Sequence, residues 1–382
     1  MAEQAATLFH SDQHHCYAEI LTPEQVQARI KVIVLRFLKY LSSPDPSICD
    51  LPLVCRTANN TKLRQGCFGD VDSIFLSYSM YKRSFMKKNV EMAFVRVWKV
   101  LELCFQLLVI GKQATQREVF YRLLSDSPKY FSSQVQVNRA IQDVVALVQC
   151  SRHSLGIMAS SRGAVVGKLV IYEPNGDIVD CTVLGPSGHL INGNLHLLQK
   201  WVFESDARYV ILVEKDAIFQ RLAEDRIYNY IPSIMITGKG YPDLASRILL
   251  HRLSRSFPNL LILALVDWNP AGLAIVCTYK FGSIAMGLEA SKYVCDVKWL
   301  GLRGSDLQLV PENARLKLKP RDHQLAKSLL SSKMLQNQMK YKEELLYMVQ
   351  AGHRVEIEAL YCHGYGFLAQ YVATKIVQAD YI

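Results

Sequence analysis

Three side chains in this sequence are of types that can move phosphoryl groups. Tyr121 follows Arg117 by four residues in Arg117-Glu118-Val119-Phe120-Tyr121, which on a helix puts both on one face. A phenol with its ordinary pKa of about 10 needs a base or positive surroundings before it attacks anything. A guanidinium beside it favours the phenolate and can also hold a phosphate. On count alone Tyr121, one of 19 tyrosines, reads as a core or surface aromatic, and Arg117 is what raises it. The other two are Glu214, in Val213-Glu214-Lys215-Asp216, and Asp267, in Val266-Asp267-Trp268-Asn269-Pro270-Ala271-Gly272. They lie 53 residues apart, each at the end of an apolar run. Close carboxylates repel unless a cation or a proton intervenes, and hard oxygen donors suit Mg²⁺, which keeps waters and binds substrate phosphates. The alternative is that each acid caps the helix that follows it, and spacing leaves both readings open. Thr237-Gly238-Lys239-Gly240 resembles half of a dinucleotide fingerprint but lacks its third glycine. Its glycines suit a tight turn, with Lys239 able to approach a phosphate. The sequence has no G-x-x-x-x-G-K-[ST], which excludes a P-loop ATPase by motif.

The elements that would position these residues are legible in outline. Residues 1–21 read as a tail. Thr22-Pro23-Glu24-Gln25 opens a helix to about Leu41, with a capping box and proline at the first helical position. Residues 44–88 read as irregular, and a second helix runs from about Val90 to Ile110 with Gly111 as its stop. A second capping box, Thr115-Gln116-Arg117-Glu118, opens a short helix Gln116–Leu124. A longer helix, about Gln134 to Cys150, carries Val135, Ile141, Val144, Val145 and Val148 on one side. Apolar runs Gly156–Ala159 and Ala164–Tyr172, joined by Ser160-Ser161-Arg162-Gly163, then suggest a hairpin. Helix, turn, helix, hairpin is the order of a winged helix. Its charged residues from Ser151 to Val170 are Arg152, Arg162 and Lys168, a bias that suits a phosphate backbone; a protein-contacting winged helix is the alternative. From Arg208 onward, strands Arg208–Val213, Ser233–Thr237 and Leu260–Val266 alternate with helices Ala217–Asp225, Pro242–Phe257 and one from about Ala271. That alternation makes a parallel sheet with helices on its faces, and ligands gather at the carboxyl ends of its strands. Eight Lys/Arg against one Asp lie between Arg315 and Lys342, as a solvated face or a DNA-facing one.

The 382 residues carry 44 Lys+Arg against 34 Asp+Glu, a formal net charge of +10, half of them apolar and a fifth charged. This is globular composition for two or three domains, and its positive balance points to a polyanion partner. The most apolar stretch, Phe94–Ile110, is interrupted by Arg96, Lys99, Glu102 and Gln106, so no spanning helix is expected. The first residues have no basic start with an apolar core, and the expectation is a soluble, intracellular protein. Ten scattered cysteines form no C-x-x-C pair, so reduced thiols are expected. His10, His14, His15 and Cys16 form a cluster that reads as a metal site or as part of a mobile polar tail.

Taken together, these motifs resemble the topoisomerase VI A-subunit family, and within it the meiotic, Spo-eleven type branch that makes double-strand breaks to start recombination. Besides the motifs above, Ser161-Arg162-Gly163, Met235–Gly240, Lys298-Trp299-Leu300-Gly301-Leu302 and Glu356-Ile357-Glu358-Ala359-Leu360 carry the resemblance. It runs from about Ala93 to the C-terminus and more loosely back to Tyr17. The Val266–Gly272 version is similar to the second plant group of that branch. The resemblance implies an α/β multidomain fold: a tail (1–21), an N-terminal helical region (22–112), a winged-helix nucleophile domain of the 5Y-CAP type (113–190) and a Toprim domain with C-terminal helices (191–382). It implies that Tyr121 is the catalytic tyrosine, that Arg117 assists it, and that Glu214 and Asp267 bind Mg²⁺. Asn269 stands where the family usually has the second Asp of D-x-D, so the site loses a formal charge and should hold metal less tightly. Arg152, Arg162, Lys168 and Lys239 are the expected DNA contacts. Implied partners are double-stranded DNA, another A-type protomer as homo- or heterodimer, a GHKL-type B-like protein and accessory break-forming proteins, in the nucleus; the apolar stripe of Pro23–Leu41 makes that helix the candidate docking element for the B-like protein, with packing within the chain as the alternative. Tyr81-Lys82-Arg83 to Met86-Lys87-Lys88 is a candidate import signal. Two competing readings are a DNA-binding paralogue that scaffolds while a partner cuts, and a nucleotide-binding enzyme using the Gly238–Gly240 turn.

Overall fold

The structure is a computed structural model, and it describes residues 16–42, 50–57, 59–64, 73–77, 79–84, 91–159 and 161–382. The chain divides into two compact units. The first draws on described residues within Met1–Lys62, Ile74–Ser160 and Ser283–Lys292, and the second on those within Leu63–Ser73, Ser161–Gly282 and Tyr293–Ile382.

The first unit is mostly helical: Pro23–Leu41, Glu91–Val109, Gln116–Asp126 and Gln134–Val148. Both expected capping boxes form. The Gln25 amide donates to Thr22 Oγ1 at 3.4 Å and the Glu118 amide to Thr115 Oγ1 at 3.2 Å, with each partner side chain returning the bond. Gly111 takes φ +65°, the left-handed stop that a side chain would resist. Val26 and Ile30 from the first helix, Phe94, Val97 and Leu101 from the second, and Ile141 and Val144 from the fourth share one core. Full burial stabilises each such side chain by about 1.5–3 kcal/mol.

Three expectations for this unit need correction. Within 44–88, Asp50–Val54 and Met80–Ser84 pair antiparallel, Asp50 opposite Ser84. Such a pairing joins segments distant in sequence, and Pro52 interrupts the local strand signal. Residues 16–20 are not a loose tail: Cys16 is buried and bridges Leu76, and Glu19 bridges Cys150. His10, His14 and His15 lie outside the described residues, as do positions 85–88 of the import candidate. Val135 lies on the exposed side of its helix, whose buried side is built from Val137, Ala140, Ile141, Val144, Val145 and Val148.

The expected wing hairpin does not form either. Ile157–Met158 pairs parallel with Ala114–Thr115. Ala164–Gly167 belongs to the second unit, pairing antiparallel with Ser233–Thr237. All four of its residues are buried, as in a strand covered on both faces, where an apolar run is continuous rather than alternating.

The second unit is built on a six-stranded sheet in the order His189–Leu190, Ala164–Gly167, Ser233–Thr237, Tyr209–Val213, Leu261–Leu265, Val297–Gly301. The last four strands run parallel, and the first two join antiparallel. Tyr209–Val213 sits in the middle. The chain leaves it to form Ser233–Thr237 on one side and then crosses back to form Leu261–Leu265 on the other. This is a switch point, where the carboxyl ends of neighbouring strands open a crevice. The intervening helices are Asp216–Glu224, Leu244–Ser256 and Pro270–Phe281, and the C-terminal helices are Pro320–Leu330, Met339–Ala351 and Phe367–Val377. Among the described residues, no helix is long and apolar enough to cross a membrane, and the eight described cysteines are free thiols.

Candidate active site

Glu214 and Asp267 stand at the carboxyl ends of the two adjacent strands at the switch point. The register is set by Val213 opposite Leu265, and the Glu214 amide donates to the Leu265 carbonyl at 3.1 Å. Glu214 Oε2 in turn accepts from the Asp267 amide at 2.9 Å. Asp267 is buried, and its Oδ1 accepts from the Ile357 amide at 2.9 Å. Neither acid caps a helix. The helix Pro270–Phe281 is capped by Asn269, whose Oδ1 accepts from the Gly272 amide at 2.8 Å, and the helix Asp216–Glu224 starts at Lys215 with no side-chain cap. Burial, then the neighbouring Asp267 charge, pushes the Glu214 carboxyl up to about 7. Asp267 is raised too, by burial, against the pull of Lys215 and the Ile357 amide.

Lys215 lies at the centre of an acidic ring. Its Nζ is 3.1 Å from Asp267 Oδ2, 3.2 Å from Glu356 Oε2 and 2.5 Å from Glu358 Oε2. Burial opposes its charge, but the bond to Glu358 and the Asp267 charge outweigh it and raise its pKa. The two glutamates are delivered by a backbone bridge: the Trp268 amide donates to the Val355 carbonyl at 2.9 Å, and the Val355 amide donates back at 3.1 Å. Sequence reasoning found the Glu356-Ile357-Glu358 motif but gave it no role. The signal was two glutamates alternating with the buried Val355 and Ile357, and only the fold supplies the partner.

The glycine turn serves the same corner. The Gly240 amide donates to the Glu214 carbonyl at 2.7 Å, and Lys239 Nζ is 3.2 Å from Asp216 Oδ2. Asp216 Oδ1 is buried with no hydrogen-bond partner among the described residues. Arg162 joins this edge: its amide donates to Asp243 Oδ2 at 2.9 Å and its guanidinium to the Tyr241 carbonyl at 3.4 Å. Gly163 makes that approach possible, since a Cβ there would fall 2.0 Å from Ser246 Oγ. Lys168 is half-buried. Arg152, in the first unit, is spent internally: its Nε donates to the buried Glu289 at 2.9 Å and its side chain is only 12% exposed.

In the first unit, Tyr121 is 53% exposed on the helix Gln116–Asp126. The Arg117 guanidinium carbon is 5.8 Å from its ring centroid, and the Phe120 ring supports it at 5.2 Å. Gln134 Nε2 ties the next helix to this one by donating to the Gln116 carbonyl at 2.9 Å. Arg117 is exposed beside the tyrosine ring.

Residues 209–376 match the family model for the Toprim domain of the topoisomerase 6 A-subunit and Spo11, and residues 92–157 match the model "Type IIB DNA topoisomerase". The chain is 60% identical to Meiotic recombination protein SPO11-2 of Arabidopsis thaliana over 98% of this chain and 97% of that one. It is also 60% identical to the SPO11-2 protein of Oryza sativa subsp. japonica, over 99% and 98%. Identity to the DNA topoisomerase 6 A-subunit of Arabidopsis thaliana is 34%, over 94% of this chain and 81% of that one. A switch-point acid pair in a Toprim domain, a helix-borne exposed tyrosine and full-length identity at this level lead to one conclusion: the chain belongs to the topoisomerase VI A-subunit/Spo11 family.

Proposed function

We propose that this protein makes DNA double-strand breaks in meiotic recombination by a topoisomerase-like transesterification, with Tyr121 as nucleophile. The observation that carries this reading is the Glu214–Asp267 pair at the switch point, with Asp267 buried and Glu214 half-buried, two acids that repel and have no capping duty. The Tyr121 oxygen forms a bond to a backbone phosphorus as the bond from that phosphorus to the 3′ oxygen breaks. The phenolic proton is released, the 3′ oxygen takes up a proton, and a 5′-phosphotyrosyl link remains. Arg117 holds the phosphate against the tyrosine. Arg162, Lys168 and Lys239 contact the DNA backbone. Arg152 is left out of that set because Glu289 neutralises it.

The donors fit Mg²⁺. They are hard oxygens, burial and then the Asp267 charge disfavour the ionised Glu214 carboxyl, and Asp216 Oδ1, two residues on, is a buried acceptor with no hydrogen-bond partner among the described residues. Glu214 and Asp267 would hold the ion, which when bound neutralises charge on phosphoryl oxygens. One chain cuts one strand, so a break needs two A-type protomers, whether copies or paralogues. A GHKL-type B-like protein fits the apolar groove of about 560 Å³ between the helices Pro23–Leu41 and Glu91–Val109, lined by Ile30, Val34, Leu35, Trp98 and Phe105. The nucleus is the compartment this role requires.

A second reading has one specific observation behind it: Asn269 brings no charge, and its side-chain oxygen is occupied by the helix cap. That favours a weak cutter that scaffolds a partner's cleavage. Trapping of protein-linked 5′ ends separates the two. With Mg²⁺ and the B-like protein present, the wild-type chain should yield adducts, and Tyr121→Phe and Glu214→Gln should yield at least about 10³-fold fewer, as expected for loss of a nucleophile or a metal ligand. Adducts persisting in Tyr121→Phe would remove that residue from the chemistry. Wild-type chains that retain DNA but never link to it would establish the scaffold.

A further inference from the structure

Lys215 carries an inference that rests on the reading of Glu214 and Asp267 as the cation site and concerns how that site is regulated. Its ammonium stands 3.1 Å from Asp267 Oδ2, on the carboxylate that a divalent cation would need. A divalent cation and an ammonium on the same carboxylate oxygen repel strongly at such short range. A lysine removed from Asp267 would normally face the cost of a bare, half-buried charge. Here it has a second berth. Glu358 and Glu356 already bond the same Nζ at 2.5 and 3.2 Å, and the Trp268–Val355 bridge fixes their backbone beside the site. The lysine stem is flexible, so a short swing suffices.

We propose that Lys215 is an exchangeable internal cation. It balances Asp267 until a divalent cation enters, and the Glu356–Glu358 arm then takes up its ammonium. Lys215 and Glu358 are thus positioning residues that set how tightly the site holds metal, and neither ligates it. The exchange keeps the acid pair compensated in both states and lowers apparent metal affinity by the strength of the displaced ion pair.

The test is calorimetric titration of the full chain, without DNA, using MgCl₂ and then MnCl₂. The variants are Lys215→Met, Lys215→Gln, Glu358→Gln, Lys215→Met/Glu358→Gln and Glu214→Gln. Either Lys215 variant should bind metal about tenfold more tightly, the scale of one displaced charged hydrogen bond. Glu358→Gln should weaken binding while Lys215 is present and change nothing in the Lys215→Met background. Unchanged or weaker binding in both Lys215 variants overturns the proposal. Weakening by Glu358→Gln in the Lys215→Met background also overturns it, because Glu358 would then be a ligand. Glu214→Gln reports separately: if it binds like the wild type, the acid-pair site itself is wrong, whatever Lys215 does.

Discussion

At the scale of single residues, the site depends on side chains that are absent as much as on those present. An ideal Cβ on Gly272 would fall 2.3 Å from the Asp267 carbonyl oxygen, a rigid backbone atom. The helix Pro270–Phe281 can therefore start this close to Asp267 only with glycine at that position. Gly272→Ala should push the Asp267 loop away, destabilising the protein by roughly 1–3 kcal/mol, as overpacking does. It should also weaken Mg²⁺ binding even though no ligand is altered. Thermal melting and metal titration of the same preparation check both, and an unchanged metal affinity would mean that Asp267 is not held by this contact. Asn269 is explained at the same scale: asparagine and aspartate cap helices about equally well, so the cap persists while the charge does not.

At the scale of elements, the helix Leu244–Ser256 shows how a local pattern acquires a pH response. His251 Nδ1 lies 3.1 Å from the Val294 carbonyl, with the Tyr293 ring edge-on at 6.1 Å. Burial lowers its pKa below 6.5, the Val294 bond works against this, and Arg255 adds to the lowering. A base depressed in the folded state contributes stability above pH 6.5, and that stability is lost as pH falls through its folded value. Melting temperature should therefore drop on acidification from about pH 6.5. In His251→Asn, which keeps a donor for Val294, this component of the drop should vanish; an identical pH profile would clear His251. The two capping boxes, the glycine stop and three of the parallel strands, Tyr209–Val213, Ser233–Thr237 and Leu261–Leu265, were legible because they are local: a cap spans four residues and a buried parallel strand is a continuous apolar run. The pairing of Asp50–Val54 with Met80–Ser84, and of Ile157–Met158 with Ala114–Thr115, was not, because a short strand carries no mark of its partner.

At the scale of the whole molecule, an excess of ten positive charges favours a polyanion such as the DNA backbone. Exposed Lys317, Lys319, Arg321 and Lys327 extend the basic character of the second unit beyond Arg162 and Lys239. Affinity for duplex DNA should fall steeply with salt, with a log–log slope of about −0.9 per phosphate neutralised. Lys317→Glu/Lys319→Glu should flatten that slope by about two units if both residues meet phosphates. Binding measured by anisotropy from 50 to 200 mM salt decides it, and an unchanged slope would place this face away from DNA.

Sequence alone determined the chemistry available here. Tyr121 with Arg117, the acids after two apolar runs, and the motif order that resembles one family are properties of residue type and local spacing. Tertiary structure decided what each group is paired with. It removed the capping alternative for Glu214 and Asp267, spent Arg152 on Glu289, sent Ala164–Gly167 into the sheet rather than a wing, and encircled Lys215 with three carboxylates. The physical reason is range. Helix caps and strand burial are settled within a few residues, whereas the field at a buried charge is set by neighbours that only the fold brings within hydrogen-bonding distance.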